Sequence, residues 1–114
     1  MAILMGGVTI DCATPQKLAA FWSAALDVTD IQDHGEYVVI PMDGGYLGLQ
    51  RVPEGRAGKN RMHMDFRADD RAGEVARLVG LGATEVEEHA VPGLAWTVLR
   101  DPEGNEFCVG SLGE

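Results

Sequence analysis

The 114-residue sequence predicts an α+β fold built from two consecutive copies of one strand–helix–strands unit. Three observations carry that prediction. Short alternating or β-branched runs flank two longer stretches whose apolar residues recur at three-four spacing. The order strand, helix, strands occurs twice, on either side of a polar, turn-rich segment. Each copy spans roughly 55 residues, too few to bury a sheet face alone, so the copies are expected to pack together or across a dimer. The chain is thus read as one domain, 1–114, with module one at about 1–52, a linker at 53–60 and module two at about 61–112.

In the first module Val8-Thr9-Ile10 is a β-branched run ending at Asp11, a strand. Thr14-Pro15 starts a helix, with Thr as N-cap and Pro at the first helical position. Leu18, Phe21, Trp22, Ala25 and Leu26 form its apolar stripe to about Asp27, which assigns Trp22 to the core. Tyr37–Ile40 and Tyr46–Val52 read as strands around the turn Pro41-Met42-Asp43-Gly44-Gly45. The segment Pro53–Asn60 is the linker.

The pattern then restarts. Met62–Phe66 reads as a strand, Asp69 as an N-cap, and Val75, Leu78 and Val79 as the buried stripe of a second helix closed by Gly82. Strands follow at Thr84–Val86, Leu94–Leu99 and Glu106–Gly110, the last two joined by the turn Asp101-Pro102-Glu103-Gly104-Asn105. His34 and His89 are read as exposed loop residues.

Nine Lys and Arg against eighteen Asp and Glu give a net charge of −9. That balance excludes a nucleic-acid binder and an anionic membrane partner, both of which need positive surface. It favours solubility and attraction of cations. Against the trend, Arg51, Arg56, Lys59 and Arg61 cluster about the linker, as a solvated run or as an anion-binding rim. The two cysteines, Cys12 and Cys108, have no metal or redox spacing and are read as free thiols in a reducing, cytoplasmic setting. The opening MAILMGGVTID lacks a basic segment and a long apolar core, and no apolar run approaches ~20 residues, so neither a signal peptide nor a membrane span is expected. The sequence has no HExxH, P-loop, GxSxG or GxGxxG motif.

The stretches GVTIDCATPQKLAAFW, HMDFRADDRAGEVARLVGLGATEV and DPEGNEFCV resemble the signature segments of the vicinal oxygen chelate superfamily. This is the glyoxalase, bleomycin-resistance and extradiol-dioxygenase group, and the chain is most similar to its small glyoxalase-like branch. The resemblance runs from about Met5 to Val109. It implies two βαβββ modules, the glyoxalase/bleomycin resistance/dihydroxybiphenyl dioxygenase fold. Their curved mixed sheets would enclose a cleft, often in a homodimer. Fold alone leaves the chemistry open.

Metal-using members carry one ligand on the first and one on the last strand of each module. Transferred by position, these fall on Gly7, on Gly48 or Gln50 (the turn lengths leave the register open), on His63, and on Cys108. A glycine has no donor, and a thiol replaces the usual carboxylate, so no metal cofactor is expected. Should a divalent ion bind, His63, Gln50 and Cys108 would hold it. The absent side chains at Gly7 and Gly48 are expected to widen the cleft for an organic molecule.

His63, Asp65 and Arg67 share one strand face, a polar line in which Asp65 orients His63 or receives a cationic ligand group, unless an Asp65–Arg67 or Asp11–Arg67 ion pair is purely structural. Asp11 shares a face with Gly7 and Thr9. Trp96, Tyr46 and Phe66 are candidates for an aromatic wall, and Cys108, between Phe107 and Val109, is by default an inert buried thiol. The ligand-binding set is therefore His63, Asp65, Arg67, Gln50, Trp96, Cys108 and Asp11, for a small organic molecule, cationic or polar-aromatic by the charge argument. The competing expectation is a lyase, isomerase or dioxygenase-like enzyme with His63 as catalytic acid/base or residual metal ligand.

Overall fold

Pro15 locks φ where a first helical residue needs it, and the helix α1 (Pro15–Leu26) starts there. A computed structural model describes residues 5–55, 57–58 and 62–111 of the chain. Of the basic cluster, Arg51 is among them; Arg56, Lys59 and Arg61, with the linker residue Asn60, lie outside the described residues. The chain forms two compact units, Met1–Arg56 and Ala57–Glu114.

Unit 1 contains β1 (Gly7–Cys12), α1, β2 (Gln32–Asp33), β3 (Tyr37–Met42) and β4 (Gly45–Arg51) in the sheet order β1-β4-β3-β2. β1 runs parallel to β4, and the other pairs are antiparallel. Leu18, Phe21 and Trp22 of α1 are buried with Val38, Ile40, Leu47 and Leu49 of the sheet, and Trp22 is core as expected. Phe21 and Trp22 meet edge to face at 5.0 Å. The β3–β4 turn is tighter than the sequence reading. Only Asp43 and Gly44 lie between the strands, with Gly44 at φ 79°, and Pro41 stays inside β3. Pro41 is tolerated because β2 pairs only with Val38 and Val39, so no neighbour on that side requires its missing N–H.

β2 itself has no apolar signature and escaped the sequence reading. Asp33 anchors it, accepting from the Gly35 N–H at 2.9 Å and from Gln16 Nε2 at 3.2 Å. Those two donors, the backbone N–H first, hold the Asp33 carboxyl below its usual range.

Unit 2 repeats the order as β5 (Met64–Ala68), α2 (Arg71–Leu81), β6 (Thr84–Val91), β7 (Leu94–Arg100) and β8 (Glu106–Ser111), in the sheet order β5-β8-β7-β6. The N-cap is Asp70, not Asp69. Its carboxylate accepts from the Gly73 N–H at 3.0 Å, and a side chain at Gly73 would collide with that carboxylate. Val75 and Leu78 face the core, while Val79 is 44% exposed, so the buried stripe is narrower than expected.

Arg71 ties the start of α2 to the sheet, donating to Thr97 Oγ1 at 2.6 Å, Ser111 Oγ at 3.3 Å and Glu88 at 3.2 Å. β6 continues five residues past Val86, through a register shift between Glu85 and Glu87, because an edge strand tolerates acidic residues. His89 therefore lies on a strand and is half-buried, stacked on Trp96 with centroids 5.1 Å apart. The Asp101–Asn105 turn forms around the buried Asp101 carboxylate, which accepts from the Glu103 and Asn105 N–H groups and from Asn105 Nδ2.

Candidate functional site

In each unit the helix covers one sheet face, and alternation sends a fixed set of side chains to the other. Val38, Ile40, Leu47 and Leu49 are buried toward α1, so Thr9, Tyr37, Val39, Tyr46, Gly48 and Gln50 share the opposite face. Those six residues, with Leu49, line a cavity of about 200 Å³. Gly48 is its floor, Thr9 and Val39 being its register partners on either side, and Tyr37 and Tyr46 stand nearly half exposed at its walls. Asp11 pairs in register with Gln50 and lies on the same face.

The glycine positions have a different meaning from the one expected. A side chain at Gly7 would collide with the Tyr46 carbonyl oxygen and lie 2.7 Å from its ring, and one at Gly48 would lie 2.8 Å from Thr9 Oγ1. The space beside Gly7 is thus filled by Tyr46, and the opening lies over Gly48 alone. The open register is also resolved. Thr9 and Asp65 each stand six residues before the first residue of their helices, and their parallel partners are Gly48 and Cys108. Gly48 is therefore the counterpart of Cys108, and Gln50 sits two residues further along.

On the corresponding face of unit 2, three donors converge. His63 Nδ1 is 3.2 Å from Asp65 Oδ1 and 4.0 Å from Cys108 Sγ, and the three donor atoms all lie within 4.8 Å of one another. His63 directly precedes β5, Asp65 is on it, and Cys108 is Asp65's partner on β8. Cys108 is half-buried rather than a core thiol, because its neighbours Phe107 and Val109 take the helix-facing positions. Cys12, by contrast, is buried.

Asp65 contacts His63, and among the described residues no ion pair joins Arg67 to Asp65 or to Asp11. Trp96 and Val98 share this face, Val98 as the register partner of Cys108, but Trp96 contacts His89. Phe66 packs edge to face on Phe107, on the helix side, and is not part of a wall. Thr9, Tyr37 and Val39 were missed by the sequence reading; their signal is the shared parity with Gly48 across β1, β4 and β3.

The donor set does not fit an oxygen-seeking divalent ion. Such ions take several carboxylate and carbonyl oxygens. Here Asp65 is the one hard donor of the cluster, Gly7 and Gly48 supply no donor, and the space beside Gly7 is taken by Tyr46.

A model of the glyoxalase-like domain matches residues 7–110. A search of curated proteins finds no match. Among solved structures, a glyoxalase/bleomycin resistance protein/dioxygenase family enzyme from Burkholderia phytofirmans superposes with a TM-score of 0.79 at 16% identity, covering 94% of this chain and 97% of that one. A lactoylglutathione lyase from Agrobacterium tumefaciens gives 0.70 at 22% identity, covering 96% and 93%. A fosfomycin resistance protein from Listeria monocytogenes, complexed with Mn(II) and a dihydroxypropylphosphonic acid, gives 0.80 at 16% identity, covering 96% and 90%. At these identities the likeness establishes the two-module α+β fold. With the family model spanning nearly the whole chain, the protein belongs to the glyoxalase-like domain family of the vicinal oxygen chelate superfamily.

Proposed function

We propose that this glyoxalase-like protein binds and sequesters a small organic molecule, held without a metal against the unit 1 face formed by Thr9, Tyr37, Val39, Tyr46, Gly48 and Gln50. The supporting observation is the Tyr46 ring lying against Gly7, which puts an aromatic wall where a ligating side chain would otherwise project. The cavity of about 200 Å³ takes a single-ring group and leaves larger parts outside. Thr9 and Gln50 supply hydrogen bonds. A cationic ligand is favoured by the net charge of −9, by Asp11 beside Gln50, and by the faces of two tyrosines. The proposal places the protein in the cytoplasm as a homodimer; among the described residues no helix is long and apolar enough to cross a membrane.

A second reading, an enzyme with His63 as acid/base, draws on the Asp65 carboxylate 3.2 Å from His63 Nδ1, a contact that orients the ring. One experiment separates the two. Cationic and neutral aromatic compounds are screened by thermal shift against wild type, Tyr46→Ala and His63→Gln, and each hit is recovered after incubation. Binding predicts hits returned unchanged, weakened about tenfold or more by loss of the Tyr46 ring, which removes roughly 1–2 kcal/mol of cation–π and burial energy. A hit chemically converted by wild type but not by His63→Gln establishes the enzyme. No hit across the panel, or hits indifferent to Tyr46, removes the binding proposal.

A further inference from the structure

The two units repeat more than the order of their elements. Asp11 and Arg67 each stand four residues before the first residue of their helices. Each is paired in parallel with the last strand of its unit, Asp11 with Gln50 and Arg67 with Gly110. The next strand places Tyr37 opposite Gln50 and Trp96 opposite Gly110. Each of those rings is stacked on a histidine, Tyr37 on His34 at 4.6 Å and Trp96 on His89 at 5.1 Å. One row thus reads His34, Tyr37, Gln50, Asp11, and its counterpart reads His89, Trp96, Gly110, Arg67. Two differences separate them. In unit 2 the terminal charge is reversed, and the side chain between ring and charge is missing.

From this pair of rows we infer that unit 2 binds a planar aromatic monocarboxylate, its ring stacked on Trp96 over Gly110 and its carboxylate held by the Arg67 guanidinium. His89 covers Trp96 from the β6 side, so a second ring stacks from the side of β8. Gly110, the antiparallel partner of Trp96, stands about 4.5–5.5 Å away and so lies beneath a ring stacked at about 3.5–4 Å. The fold does not demand a glycine there. Its φ is not positive, and a Cβ would meet nothing closer than Ala95 O at 3.7 Å, an ordinary contact. Glycine weakens a strand, and one that packing does not require marks the close approach of another molecule. Arg67 is exposed, and among the described residues no ion pair holds it. The two carboxylates on its face are engaged by histidines, Asp65 with His63 at 3.2 Å and Glu87 with His89 at 3.1 Å. A guanidinium grips a carboxylate through two parallel N–H bonds. Asp65 and Glu87 also surround the site with negative charge, which favours a single charge on the ligand over a dianion. The inference is independent of the proposal for unit 1, and either can fail alone.

The test titrates the full-length chain with sodium benzoate at constant ionic strength, followed by the indole N–H resonances of its two tryptophans. Trp96 should shift saturably while Trp22, buried in the core, stays still. Arg67→Gln should weaken benzoate by about tenfold or more, the loss of a charge-assisted bidentate contact. Gly110→Val should do the same by filling the gap, and Arg77→Gln, on α2, should change nothing. Benzamide and cyclohexanecarboxylate, which lack the charge and the ring respectively, should each bind more weakly than benzoate. Dianionic phenylphosphonate should bind more weakly as well. Arg67 is exposed, so its variant keeps the fold and carries the test if Gly110→Val does not. The inference is overturned by a Trp96 resonance that does not move in wild type, or by wild-type affinity in Arg67→Gln. Benzamide or phenylphosphonate binding as tightly as benzoate would overturn it too.

Discussion

A methyl group added at Gly7 would press on the Tyr46 carbonyl and ring, both fixed by the parallel β1–β4 pairing. Backbone cannot yield as a flexible side chain can, so Gly7→Ala should cost about 1–3 kcal/mol, the usual range for overpacking. Thermal denaturation measures it, and in a domain of this size that cost is a fall of roughly 4–15 °C. An unchanged midpoint would mean that Tyr46 is mobile and that the wall is not built. The sequence identified Gly7 as an unusual position but could not say what fills it. That depends on pairing Gly7 with Tyr46, and the register was open while the turn could be two residues or five. Cys108 was misread for a related reason. Its apolar neighbours mark a buried strand, yet alternation sends Phe107 and Val109 inward and Cys108 outward.

At the scale of elements, the helices were legible because their start and stop signals are local. Pro15 at the start of α1 and Gly82 at the end of α2 act within a few residues of themselves, as the Asp101–Asn105 turn does between β7 and β8; the Thr14 side chain makes no cap hydrogen bond. The strands whose existence depends on partners were not. β2 is two exposed residues held by Gln16, and the second half of β6 is defined by pairing with β7. Even a correctly read helix end can be improved. α1 closes on Asp27, a non-glycine in the left-handed region at φ 57°, ψ 44°, with its negative charge at the negative end of the helix dipole. Both features oppose stability, one through Cβ sterics and the other through charge. Asp27→Gly should therefore raise stability by about 0.5–1 kcal/mol, after allowing for glycine's greater flexibility when unfolded. Chemical denaturation with an unchanged slope would register it. A loss would mean that the Asp27 side chain contributes an interaction larger than both penalties.

The whole molecule carries −9, and that field acts differently from its individual ion pairs. The pairs Glu74–Arg77 at 2.8 Å and Glu106–Arg100 at 3.3 Å lie well inside the Debye length of about 8 Å at physiological salt, so they persist there. Repulsion among widely separated carboxylates is different. It acts over distances near the ~30 Å Debye length of a 0.01 M solution and is largely removed at ~0.15 M. Exposed pairs contribute only about 0–1 kcal/mol each, so the long-range repulsion dominates the salt response. Raising NaCl across this range near neutral pH should thus raise the melting temperature by a few degrees. Chloride is the right anion, because sulfate also strengthens apolar burial. The acidic edge strand locates part of the effect: Glu85, Glu87 and Glu88 are all exposed on β6. Glu85→Lys should raise the low-salt midpoint and flatten its salt dependence. A midpoint that falls with added NaCl would place the balance with the local pairs instead, and the charge excess would then bear on solubility and ligand attraction but not on stability.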